Sequence, residues 1–348
     1  MGHRVGAVEA VDLEPESVLV TGGHGLLGGW LTAALLDHGH RVVVIRRDEP
    51  AVSTLALLGC ADQVDTVHGD ICEEGLVARA LNEYEVSSVF HLAAQTLVGT
   101  ANHAPRSTFE TNIRGTWMLL EACRAHGTRS VIVASSDKAY GRQTELPYRE
   151  TQPLLPTFPY DVSKAAADLI ARSYWHTFGL AVAVTRFANL YGGGDTNRSR
   201  LVPEAVGAAL AGRAPVIRSD GSPERDFLYV EDAVSAYLAI WGALLAGRGG
   251  GEAFNAGGGR SHRVADVVDL ICRLAAGTGG PGGGGVGGSV SPEIRGAGTP
   301  HGEIDRQWVD AGKLRALTGW APAVDLEEGL RRTIAWYREH PRALSALL

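Results

Sequence analysis

Paired cysteines, long apolar runs and basic stretches are all missing from this chain. Its four cysteines, Cys60, Cys72, Cys123 and Cys272, are widely scattered and form no C-x-x-C pair. That spacing gives no disulfide framework and suits reduced packing residues in a cytoplasmic protein. No run of about 18 apolar residues occurs, so no membrane-spanning helix is expected. Residues 1–16 contain acids and a proline but no apolar core of the kind a signal peptide needs, and read as a loosely ordered leader. With 32 Lys and Arg against 39 Asp and Glu, the formal charge of −7 offers neither nucleic acid nor an anionic membrane a partner. The twelve histidines show no H-E-x-x-H or zinc-finger spacing, so no metal site is expected.

What is present is an alternation of short apolar strands with amphipathic helices. Strands are expected at 17–21, 41–45, 64–68, 88–92, 130–134 and 180–186. Between them come helices at 26–38, near 73–84, at 109–126 and around Tyr160 and Lys164. Repeated β-α-β units predict an α/β fold, a Rossmann-type doubly wound parallel sheet. Further helices at 202–211, 264–276, 311–317 and 326–340 suggest a smaller C-terminal substrate-binding α/β lobe. The expected division is a dinucleotide-binding domain over 17–190, rejoined by about 225–260, with 191–348 forming most of the lobe. Residues 277–289 (GTGGPGGGGVGGS) read as a flexible surface loop, too poor in apolar side chains to order itself.

Two segments carry chemistry. Gly22, Gly25 and Gly28 follow the first strand in TGGHGLLG, where glycines let backbone amides approach a pyrophosphate at a helix N-terminus. Ser136-Asp137-Lys138 follows the fifth strand, and Tyr160 and Lys164, four apart, share one helix face. In parallel sheets of this kind ligands bind beyond the carboxyl ends of the strands, where both segments fall. Asp48, 20 residues after Gly28, is placed to bind an adenosine ribose, while Arg46 and Arg47 suit a 2′-phosphate; NAD is preferred over NADP.

With TGGHGLLG, Gly69-Asp70-Ile71, His91-Leu92-Ala93-Ala94, Thr111-Asn112-Ile113-Arg114-Gly115-Thr116, Tyr160-x-x-x-Lys164, Asn189-Leu190-Tyr191-Gly192 and Arg225-Asp226-Phe227 in view, the chain resembles the extended short-chain dehydrogenase/reductases, the NAD-dependent epimerases and dehydratases of nucleotide sugars. Within them it is most similar to CDP-glucose 4,6-dehydratases, through Gly28-Gly29-Trp30-Leu31, Gln95 with Leu97-Val98, Ser136-Asp137-Lys138, and Gly192-Gly193-Gly194-Asp195 before Arg200-Leu201-Val202-Pro203.

The resemblance implies bound NAD, a nucleotide-sugar substrate and a homodimer. It implies that Gly22, Gly25, Leu26, Leu27, Gly28, Asp70, Ile71, Leu92, Ala93 and Ala94 contact the cofactor, and that Gln95, Asn189, Val202 and Arg225 contact the substrate. Tyr160 would take the O4 proton, its phenolate stabilised by Lys164, with Ser136 bonded to O4. Asp137 would protonate the departing O6 hydroxyl, and Lys138, neutral through burial among cations, would take the C5 proton. A 4-epimerase needs Ser136, Tyr160 and Lys164 but neither Asp137 nor Lys138. That epimerase and a non-catalytic NAD(P)-binding regulator stand as the other two readings. The nucleobase and the sugar stay open.

Overall fold

The computed structural model describes residues 14–50, 52–277, 290–298 and 304–348. Strands β1 (Ser17–Thr21), β2 (Arg41–Arg46), β3 (Asp65–His68), β4 (Ser88–His91), β5 (Ser130–Ala134), β6 (Val182–Phe187) and β7 (Ala253–Ala256) form one parallel sheet. Their order is β7-β6-β5-β4-β1-β2-β3. The chain winds outward from β1 through β2 and β3, then returns to β4 on the other side. A crevice therefore opens between the carboxyl ends of β1 and β4, where the strand order reverses. Thr21 and His91 face each other across it in register.

Strict alternation along each strand decides which face each side chain covers. Val18, Val20, Val42, Val44, Phe90 and Ile132 join one buried cluster, and Leu19, Val43, Val67, Val89, Val131 and Val133 join the other. Helices α1 (Leu26–Asp37), α2 (Leu76–Glu83), α3 (Gly115–His126), α4 (Pro159–Phe178), α5 (Leu201–Leu210), α6 (Val230–Leu245), α7 (Val264–Gly277) and α8 (Leu326–Glu339) cover the sheet or build the lobe. The first cluster runs on from the sheet into Val206, Ile271, Leu330, Trp336 and Tyr337, so sheet and lobe share one core.

Several elements depart from the expected pattern. The apolar 16-residue α6, with Asp232 near its start, was not expected as a helix. Eleven of its residues are buried, and that nearly all-round apolarity erases the 3.6-residue stripe a surface helix shows. The helix expected to start at Phe109 is interrupted: Pro105–Phe109 passes into a wide turn at Glu110–Arg114 before α3 begins. The wide turn points Asn112 inward, where it bonds the backbone of Gln95 and the Ser163 hydroxyl.

Of the expected leader, residues 1–13 lie outside the described residues, as do 278–289 of the glycine-rich loop. Glu16 is not loose. It accepts hydrogen bonds from Ser87, Ser88 and Arg129, and its amide donates to His40. Ordered structure thus begins ahead of β1. Among the described residues no helix is long and apolar enough to cross a membrane.

Candidate active site

β1 ends on Thr21 because its hydroxyl accepts the amides of Leu92 and Ala93, each at 3.1 Å, which locks the glycine loop against the end of β4. Gly22 takes φ +75°, and a Cβ there would stand 2.8 Å from the Ala93 amide. A Cβ on Gly28 would stand 2.1 Å from the Gly22 carbonyl, so this turn closes only with glycine at both positions. Gly25 caps α1 and offers no side chain to its free amides, which leaves the helix N-terminus open toward the crevice. His24 bonds Ser53 through Nδ1, while its buried Nε2 has no partner among the described residues. Burial and Arg46 hold its pKa below the usual value. This ring lies inside the glycine motif, where a lone histidine has no spacing that would mark it.

At the outer end of the crevice, Arg46 pairs with Glu49 at 2.8 Å and Arg47 with Asp48 at 2.7 Å. Asp48 reaches the cleft but stays mostly exposed in that pair. Asp70 accepts the Cys72 amide, and Ile71 is buried behind it, touching the position where a Gly115 Cβ would fall.

The chemical centre forms where β5 meets α4. Ser136 caps a single turn of 3-10 helix, Asp137–Tyr140, by accepting the Lys138 amide at 3.2 Å. Its hydroxyl donates to Asp137 Oδ1 at 3.0 Å. Lys164 Nζ donates to the Ala134 carbonyl at 2.8 Å, tying α4 to the end of β5. Burial lowers Lys164 to about 8 and pushes the Tyr160 phenol up to about 12. The Arg200 guanidinium and the Ser136 hydroxyl pull that phenol the other way, whereas Asp137 and Asp161 raise it further. The Arg200 guanidinium thus adds to the field at Tyr160, while Lys164 Nζ is bonded to the Ala134 carbonyl.

Asp137 is 2 % exposed, and burial raises its pKa against the pull of Lys138, Ser136, Gln307 and Arg225. Its Oδ2 is buried with no hydrogen-bond partner among the described residues. Lys138 is half-buried, and its amine acts on the carboxyls of Asp137 and Asp161.

Every residue singled out from the sequence lines one cleft of about 1070 Å3 except Gln95. The Gln95 amide folds onto its own loop, bonded both ways to Leu97, and Thr96 takes its place on the wall. Asn189 Nδ2 donates to the Asp226 carbonyl, Val202 sits at the start of α5, and Arg225 is buried on the lobe side. Three contributors were not anticipated. Arg200 is held by Asp195 at 3.0 Å and reaches Thr96 at 3.4 Å, bridging the cleft. Gln307 and Asp226 are fully buried behind Asp137. Arg200 and Asp226 stand in segments quoted for the resemblance but were given no role there, and Gln307 lies 170 residues beyond Asp137, where no spacing connects them.

The family model described as GDP-mannose 4,6 dehydratase matches residues 19–333. A dTDP-glucose 4,6-dehydratase of Xanthomonas campestris is 35% identical, with 92% of each chain covered. A UDP-glucose 4-epimerase of Halalkalibacterium halodurans is 29% identical over 94% of this chain and 98% of its own. Among solved structures, a dTDP-glucose 4,6-dehydratase from Streptomyces venezuelae with NAD bound superposes with a TM-score of 0.83, at 29% identity, over 95% of this chain and all of that one. Taken with the glycine cradle, the parallel sheet and the Ser136-Tyr160-Lys164 cluster, these likenesses place the chain in the GDP-mannose 4,6 dehydratase family of extended, NAD-dependent short-chain epimerases and dehydratases.

Proposed function

We propose that the protein is an NAD-dependent nucleotide-sugar 4,6-dehydratase. The observation that carries this reading is Asp137 Oδ2, a buried carboxyl oxygen on the cleft wall with no hydrogen-bond partner among the described residues, on a group whose burial favours the protonated form. A neutral acid with an oxygen on the cleft wall is poised to donate to a leaving hydroxyl. The glycine cradle fits a dinucleotide pyrophosphate, because added Cβ atoms would fill it. Gly22, Gly25, Gly28, Asp70 and Ile71 would hold the cofactor. When bound, NAD accepts hydride from C4 of the sugar and returns it to C6.

Tyr160, beside the Arg200 guanidinium, takes the O4 proton. With C4 a ketone the C5 proton is acid, and Lys138 removes it while Asp137 Oδ2 protonates O6. The C5–H pair forms the C5–C6 double bond, and the C6–O6 bond breaks to release water. Lys138 then returns its proton to C5. Asp137 must start neutral and Lys138 must start as an amine, and one proton moved from the ammonium to the buried carboxylate achieves both. The proton gained by Tyr160 replaces the one Asp137 lost, and Ser136 stands between them, donating to Asp137 Oδ1 and within reach of the phenol.

The finer expectation of a CDP-linked substrate rests on Asp137-Lys138 and on the 192–195 glycine segment; the similar proteins carry dTDP and UDP in their names. A second reading, 4-epimerase, draws on the likeness to UDP-glucose 4-epimerases. Mass spectrometry on a panel of CDP-, UDP-, GDP- and dTDP-hexoses separates them. Dehydration gives a 4-keto-6-deoxy product lighter by one water without net reduction of NAD. Recovery of an epimer of unchanged mass from every substrate that reacts would overturn the reading.

A further inference from the structure

We propose that the Gln307 side-chain amide is a positioning group for Asp137, serving the carboxyl in both of its protonation states. The proposal rests on the reading of Asp137 as the acid. Gln307 is 0% exposed, and both its Oε1 and Nε2 are buried without a directed hydrogen bond among the described residues. Asp137 Oδ2 is orphaned in the same way. Two unsatisfied amide atoms in a core are costly unless some state of the site uses them. The amide lies close enough to the Asp137 carboxyl to favour its charged form.

Its backbone is fixed independently of the side chain. The strand Arg306–Gln307 pairs in parallel with Glu224–Arg225, the Gln307 carbonyl accepts the Asp226 amide at 3.0 Å, and the Trp308 carbonyl accepts the Tyr148 amide at 2.8 Å. The amide can therefore rotate without disturbing the fold. An amide is suited to this task because it carries an acceptor and a donor on one carbon. While Asp137 is neutral, Oε1 accepts its proton and orients it on Oδ2. Once the proton has gone to O6, Nε2 turns to donate to the carboxylate. A carboxylate in the place of Gln307 could only accept, and an alkyl side chain could do neither.

Other charged or titratable groups face Asp137 from every side: Lys138 on its own turn, Tyr148 on the loop that follows, Tyr160 and Asp161 on α4, and Arg225 and Asp226 on the lobe strands. Of these only the two phenols join a neutral donor to an acceptor, and the Tyr148 hydroxyl already donates to the Gly141 carbonyl at 2.8 Å.

The test uses Gln307→Leu and Gln307→Glu in the full chain, with two readouts. In the first, 13C-aspartate NMR follows the Asp137 carboxyl, assigned by its loss in Asp137→Asn. Removing a donor to the carboxylate is expected to raise its titration midpoint by about one pH unit in Gln307→Leu, and further in Gln307→Glu, where two carboxyls share a proton. In the second, turnover with a reactive nucleotide sugar is expected to fall about tenfold or more in Gln307→Leu, while enzyme-bound reduced nicotinamide builds up because C4 oxidation is spared. An unchanged midpoint in both variants, or a loss of turnover with no such build-up, would show Gln307 to be packing only. A wild-type enzyme that releases no dehydrated sugar would instead defeat the reading of Asp137 as the acid, even if the NMR midpoint still moved with Gln307.

Discussion

Asp137 and Lys138 separate elimination of water from plain epimerisation, and both sit on one turn capped by Ser136. Replacing Asp137 by Asn keeps size and hydrogen bonding but removes the acid. Dehydration is expected to slow by about 10²–10⁴-fold while C4 oxidation persists, so bound reduced nicotinamide accumulates in a rapid-mixing absorbance trace. A variant that dehydrates at the wild-type rate would remove Asp137 from the mechanism. Much of this was legible from residue types and spacing alone, because Ser136, Tyr160 and Lys164 fall where a strand end and a helix must meet. What could not be read was the Arg200 guanidinium that adds to the field at Tyr160, since the two lie 40 apart in the chain and no local pattern joins them. Nor could the sequence show that the Gln95 amide finds both its partners within two residues, on its own loop.

At the scale of elements, the glycine turn between β1 and α1 is the tightest constraint. Gly28→Ala places a Cβ 2.1 Å from the Gly22 carbonyl, a backbone atom that cannot swing aside. The loop must open, and the expected cost is about 1–3 kcal/mol of stability together with most of the affinity for NAD. Thermal denaturation with and without NAD reads both; a variant that NAD stabilises as much as the wild type would show the cradle to be no part of the cofactor site. The strands of the sheet were readable because they are buried on both faces and short, as was α8 with Asp325 capping its start. α6 was not, since its apolar surface is wrapped by α1, the sheet and the lobe. The wide turn at Glu110–Arg114 escaped notice because its cause is tertiary, the anchoring of Asn112 to Gln95 and Ser163.

The whole molecule concentrates buried carboxyls where sheet and lobe meet. Asp226 accepts the amides of Gly258 and Val309, yet burial, with Asp137 nearby, raises it to about 7; burial likewise raises Asp161 to about 6. A carboxyl whose folded pKa is raised binds more protons in the native state. Its stabilising contribution is therefore full below about pH 4 and is lost as pH rises to about 7. Measured by denaturant titration, the stability of the wild type relative to Asp226→Asn is expected to fall by about 3 kcal/mol across that window; a difference that stays flat with pH would contradict the raised value. The shared core explains why such strain is tolerated, since the cluster extends from the sheet through α6 to α8 without a break. The most direct test of the central claim is to give the enzyme a reactive nucleotide hexose carrying deuterium at C4 and to analyse the product by mass spectrometry and NMR. A 4,6-dehydratase gives a 4-keto-6-deoxy sugar one water lighter, with the deuterium moved to C6. Deuterium found still at C4, in a product of unchanged mass, would contradict it.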